Sequence, residues 1–138
     1  MAAIGRLLTE EQGRLTVRRV LSVDNGTALV ETTFETQGSL RGVHYTALGT
    51  IQSFIRPDGT LYGDLKGGLR TDGNDTSVYR GITGGTYTDG TLHARTYRGA
   101  ITFENAVGAF AELNSVLAVF ELATDDAGQV NYRTWELV

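Results

Sequence analysis

The sequence predicts an all-β fold: an eight-stranded antiparallel up-and-down β-barrel with a short helical segment before the seventh strand. Three observations carry that expectation. First, eighteen glycines stand against a single proline in 138 residues, and Gly42, Gly49, Gly63, Gly67, Gly81, Gly85 and Gly99 interrupt β-prone runs instead of separating them. Glycine inside a strand marks bulges, hard bends or close backbone approach, which are the devices that curve a sheet. Second, Asn25-Gly26, Asp58-Gly59, Asp72-Gly73 and Asp89-Gly90 supply tight turns between runs that alternate with a period of two. Third, those runs follow one another through short connections, which favours consecutive antiparallel pairing and a closed sheet without edges. A β-sandwich is the competing architecture.

Taken in order, residues 1–13 have weak helical character and are expected as an N-terminal arm or plug, ahead of a single barrel domain over 14–138. Alternation begins at Arg14, with Leu15, Val17, Leu21 and Val23 on one face. After the Asn25-Gly26 turn, residues 27–37 place Ala28, Val30, Thr32, Phe34 and Thr36 opposite Leu29, Glu31, Thr33 and Glu35, the pattern of a half-buried strand. Gly38-Ser39 reads as a break. Residues 40–56 form a long strand bent near Gly49, with Val43, Tyr45, Ala47 and Ile51 together, and Pro57-Asp58-Gly59 turns it.

Residues 60–71 put Leu61, Gly63, Leu65, Gly67 and Leu69 on one face. Leucines four apart also suit a helix, but each interior glycine costs a helix about 1 kcal/mol relative to alanine, so the strand is preferred. Residues 76–88 and 91–104 are the fifth and sixth strands. Asp58-Gly59-Thr60-Leu61 recurs as Asp89-Gly90-Thr91-Leu92, and Tyr79-Arg80-Gly81 as Tyr97-Arg98-Gly99, echoes of similar hairpins and not of a repeat array. Residues 105–114 space Val107, Phe110, Ala111 and Leu113 as one or two helical turns capping a barrel end. The seventh strand, 115–124, is apolar on both faces apart from Glu121. Its outer face is therefore expected to be covered, by the helical segment or by another subunit of a homo-oligomer. Residues 125–128 turn into the eighth strand, 129–138.

Composition bounds the function. A 14.9 kDa chain is one domain, able to bury a core without cross-links. The absence of cysteine excludes disulfides, thiolate zinc sites and cysteine nucleophiles. With 16 acidic and 12 basic residues and a net charge of -4, there is no overall attraction for polyanions, so nucleic acid is not an expected partner. No apolar run reaches membrane-spanning length, and residues 1–12 lack the basic-then-apolar pattern of a secretion signal, so a soluble cytoplasmic protein is expected, without a membrane partner.

Chemistry-bearing residues are few. His44 and His93 are the only histidines, and neither has a second ligand at metal-binding spacing. Asp72-Gly73-Asn74-Asp75 resembles part of a calcium loop without its terminal glutamate. No metal and no cofactor are expected. His93 shares parity with Arg95, Tyr97, Ile101 and Phe103, which would aim it inward near one mouth. Glu121 stands alone among Val119, Phe120 and Leu122. Facing inward, it would be desolvated, its pKa raised, and it would be usable as a general acid or base; facing outward, it would pair with an arginine at a subunit contact. Trp135 shares parity with Arg133 and Leu137, as core or as a stacking surface.

The runs Gly42-Val43-His44-Tyr45-Thr46, Arg56-Pro57-Asp58-Gly59-Thr60-Leu61-Tyr62-Gly63, Tyr97-Arg98-Gly99-Ala100, Ala111-Glu112-Leu113-Asn114 and Val119-Phe120-Glu121 resemble a group of small uncharacterised prokaryotic proteins, themselves similar to the allene-oxide-cyclase-like barrels. The resemblance covers about residues 41–135. It implies an eight-stranded antiparallel barrel, often oligomeric, and supplies no catalytic motif.

Together these readings predict a barrel that binds a small apolar or amphipathic molecule in its lumen, with strand glycines hollowing the interior. Tyr45, Arg95, Tyr97 and Trp135 are the expected lining, and Glu121 and His93 the groups that would move or stabilise a proton in a cofactor-free cyclase or isomerase. Such an enzyme needs shape and one or two polar groups, not a triad or a metal. The alternative is a non-catalytic barrel acting as an oligomeric assembly or interaction module.

Overall fold

The computed structural model describes residues 3–87 and 94–138. Eight strands, β1 (Ile4–Asp24), β2 (Thr27–Leu40), β3 (Val43–Ile55), β4 (Thr60–Thr71), β5 (Thr76–Tyr87), β6 (Arg95–Glu104), β7 (Leu117–Thr124) and β8 (Gln129–Leu137), pair in chain order and close as β1 meets β8. Every pairing is antiparallel. A 3-10 helix, Gly108–Ser115, lies between β6 and β7. The architecture, the strand count and the helical segment before the seventh strand all match the sequence reading.

Closure depends on residues 4–13, which the sequence reading had set aside as an arm. They form the first half of β1 and pair with β8 from Ile4 opposite Leu137 to Arg14 opposite Gln129. Leu8, Thr9 and Glu11 are buried there. The polar sequence Thr9-Glu10-Glu11-Gln12 conceals the strand because its two inward positions are themselves polar.

Two further departures have local causes. The register of β1 against β2 shifts between Leu15 and Val17 and again between Val20 and Ser22. One extra residue reverses the facing of everything after it. Leu15 thus lies opposite the buried Phe34, but Val17 lies opposite outward Thr33 and Arg18 opposite buried Thr32. Val17, Leu21 and Val23, expected on the core face, are exposed. The second departure concerns the turn after β2, which sits at Arg41-Gly42, both at positive φ (49° and 80°), instead of at Gly38-Ser39. Gly38 stays in the ladder, opposite Glu11 and Tyr45. A β-carbon there would lie 2.9 Å from both the Glu11 Cγ and the Tyr45 hydroxyl.

The interior is occupied by side chains. Leu61, Leu65 and Leu69 face in as expected, with Phe34, Ile51, Ile101 and Leu122. Tyr132 is the hub of an aromatic cluster, with ring centroids 5.7 Å from Phe120, 6.1 Å from Phe34 and 6.3 Å from Tyr79. The strand glycines admit these rings. A β-carbon at Gly67 would lie 2.5 Å from the Tyr79 hydroxyl, and one at Gly49 would run into the rings of Phe34 and Tyr79. The space those glycines vacate is filled by aromatic side chains, so it does not hollow the lumen.

One end of the barrel is capped by the 3-10 helix. Phe110 and Leu113 are buried, and the Phe110 ring meets Tyr45 edge-on at 5.5 Å. Asn114 clips the connection by donating to the Ala106 carbonyl at 2.7 Å and accepting from its N–H at 2.9 Å. The Asp75 carboxylate accepts the Ala109 N–H at 3.0 Å, tying the helix to the β4–β5 turn.

Candidate functional site

The residues singled out from sequence fall in four places. Tyr45 faces inward at the capped end, fully buried. Arg95 and Tyr97 face inward at the opposite end: the Arg95 guanidinium donates to the Tyr97 hydroxyl at 3.0 Å and to the Tyr87 hydroxyl at 3.4 Å, with its centre 4.9 Å from the Tyr87 ring centroid. Arg18, brought inward by the β1 bulge, joins this end through a 3.3 Å bond to Thr32. Burial, with the charge of Arg95, lowers the Arg18 pKa. His93 lies outside the described residues, as does the Asp89-Gly90 turn.

Glu121 and Trp135 are on the outer wall, not in the lumen. Inward positions of β7 are Ala118, Phe120, Leu122 and Thr124, and those of β8 include Val130, Tyr132 and Thr134, so the alternate residues must point away. Glu121 accepts from Arg98 of the neighbouring strand at 3.0 Å. Trp135 is aligned between Leu7 and Val119. The barrel therefore divides the six expected residues and does not gather them: Tyr45 at one end, Arg95 and Tyr97 at the other, Glu121 and Trp135 outside.

Sequence reasoning missed Glu11. Its carboxylate is buried under the barrel wall and accepts hydrogen bonds from the Thr36 hydroxyl and, at 2.8 Å, from the Tyr45 hydroxyl. Burial raises its pKa, against the lowering effect of those two donors. The Glu11 charge and burial together push the Tyr45, Tyr79 and Tyr132 phenols up. Thr9 and Thr134 complete this polar layer with a 2.6 Å hydroxyl pair. The available signal was parity: Glu11 is two residues from Gly13 and Thr9, on the inward face once 4–13 is recognised as strand.

A concavity suited to a small molecule lies on the outer wall. A groove of about 760 Å³ crosses β2 to β7. Its walls are Leu29, Phe54, Tyr62, Ile82, Ala100 and Val119, and Gly63, Gly84 and Gly99 remove side chains along it. Phe54 and Tyr62 stack at 5.4 Å, and Arg56 covers Tyr62 at 4.1 Å from the ring centroid. Gln52, Asp64 and Arg98 are its polar residues. A larger depression of about 1010 Å³ crosses β1 to β5, but Gln12, Arg14, Glu35, Gln37 and Arg70 interrupt its apolar residues.

Among the described residues no three histidine, aspartate or glutamate side chains gather as a metal site. No helix is long and apolar enough to cross a membrane.

The class defined by this geometry is a closed, internally packed β-barrel with an apolar outer groove. No protein-family model matches the chain, and no curated protein matches it. Solved structures share the fold. A protein of unknown function from Clostridium acetobutylicum ATCC 824 is similar over 100% of this chain and 98% of its own, at TM-score 0.80 and 12% identity. A conserved protein of unknown function from Rhodopseudomonas palustris covers 100% and 99% at 0.79 and 11%. A beta-barrel like protein from Acinetobacter baumannii AYE covers 100% and 97% at 0.78 and 14%. At such identities the likeness is one of fold.

Proposed function

We propose that this barrel binds a small amphipathic molecule with a flat or branched apolar body, and that it does so in the outer groove. The observation that carries this reading is the groove's composition: aromatic and aliphatic walls with three polar residues, at a volume within the roughly 300–1,000 Å³ usual for small-molecule sites. The stacked Phe54–Tyr62 pair offers a flat surface, and Arg98 a donor for a carboxylate or carbonyl. A medium-chain fatty acid displacing an environment-sensitive dye tests it. Wild type is expected to bind saturably, and Tyr62→Ala and Ile82→Lys to weaken binding about tenfold or more. Equal affinity in all three proteins would sink the proposal.

A cofactor-free cyclase or isomerase is the second reading, consistent with the resemblance to allene-oxide-cyclase-like barrels. Glu11 favours it. A buried carboxyl with a raised pKa, held by Tyr45 and Thr36, is the kind of group that exchanges a proton with a bound substrate. Because aromatic side chains fill the lumen, such a substrate must displace the Phe110–Leu113 cap to reach it.

A further inference from the structure

The outer wall of β6, β7, β8 and β1 carries two register rows. In the first, Arg98 lies opposite Glu121, Glu121 opposite Arg133, and Arg133 opposite Glu10. It therefore reads plus, minus, plus, minus over four neighbouring strands. The four side chains are 75%, 44%, 56% and 50% exposed, and they pair within the chain as Arg98–Glu121 at 3.0 Å and Arg133–Glu10 at 2.8 Å. The second row, the next outward positions along the same strands, is Ala100, Val119, Trp135 and Leu7, and it continues to Ile82 on β5. Ile82 is 70% exposed and Leu7 49%. A contiguous apolar strip beside a charged one is a surface built to be covered.

We propose that a second copy of this chain covers it, in a two-fold dimer whose axis runs along the strands in the contact plane, midway between β7 and β8. The charges choose both partner and axis. Reversing an alternating row of four brings every member opposite its counter-charge: Glu121 faces the partner's Arg133, and Arg98 the partner's Glu10. An axis centred on β7 or on β8 would instead oppose Glu121 to the partner's Glu121, or Arg133 to the partner's Arg133. The same operation sets Val119 against the partner's Trp135 and Ala100 against the partner's Leu7, small side chains against large ones. A self-complementary patch of this kind is what an isologous contact requires, and a second copy carries the matching order by construction. The contact borders the apolar groove at Ala100 and Val119, so the partner would wall one side of it. The dimer goes beyond the ligand-binding proposal and needs no ligand, so either can fail alone.

The test is analytical ultracentrifugation of the full chain with charge-swapped variants. Wild type is expected to be a concentration-dependent dimer whose dissociation constant rises severalfold between about 0.05 and 0.5 M salt, because exposed charge pairs are screened. Glu121→Arg opposes two arginines across the axis, and Arg133→Glu opposes two glutamates, so each variant alone is expected to weaken the dimer about tenfold or more. An equimolar mixture of the two places arginine against glutamate at both positions and is expected to restore dimers, as mixed pairs. A monomer at all concentrations, a trimer or larger ring, or variants that self-associate as wild type does would each overturn the proposal. Should a variant fail to fold by circular dichroism, the wild-type stoichiometry and salt dependence still decide.

Discussion

Glu11 shows how much one residue's surroundings change its chemistry. In a flexible arm it would be an ordinary carboxylate; under the barrel wall, burial favours its neutral form. The folded pKa lies above the ordinary value of 4.5. The folded state therefore binds the proton more tightly than the unfolded chain does, and the associated stability is fully present below about pH 4.5 and lost as pH rises through the folded value. Glu11→Gln keeps the shape and removes the titration. Denaturant unfolding of both proteins across the acid-to-neutral range should show the variant gaining on wild type as pH rises. A difference that does not change with pH would mean that Glu11 keeps its ordinary pKa, and would remove it as the acid of the second reading.

At the scale of elements, the 3-10 helix is held by packing more than by its own bonds. Its start has no side-chain cap, and a run this short gains little from local hydrogen bonding. Phe110 and Leu113 supply the packing, while Asn114 and Asp75 fix where the segment enters and leaves. Leu113→Ala removes a fully buried side chain and is expected to cost about 2–5 kcal/mol of unfolding free energy, measured by denaturant titration. A loss below about 0.5 kcal/mol would mean that the cap is not part of the cooperative core. The helical spacing of Phe110 and Leu113 was readable in the sequence, as were the inward faces of β2 and β4. The inward face of β1 was not, because two bulges break its period and the first of them exchanges Val17 for Arg18 at the interior.

For the whole molecule, closure is the property on which everything else depends. The β1–β8 seam is made by residues 4–14 and is the one pairing between strands distant in sequence. A fragment spanning 14–138 would keep seven ladders and lose this one, leaving β8 with an unpaired edge and the Glu11 layer without its acid. We expect it to be aggregated, or to unfold without a cooperative transition. A fragment as cooperative and as monodisperse as the full chain would show that the seam is dispensable. The groove and the self-complementary strip are properties of the same scale, since each draws residues from four or more strands.

By itself the sequence determined the strand number, their antiparallel order, most of their turns and the helical interruption, because those follow from local periodicity and turn chemistry. It also placed Tyr45, Arg95 and Tyr97 on inward faces, since parity within one unbroken strand is a local property. Only the tertiary structure decided that Glu121 and Trp135 point outward, that Glu11 is buried, and that aromatic rings occupy the room left by Gly49 and Gly67. Each of those depends on which strands meet and in what register. Cross-strand contact is a relation between residues far apart in the chain, and period-two alternation fixes that two faces exist without saying which of them is enclosed.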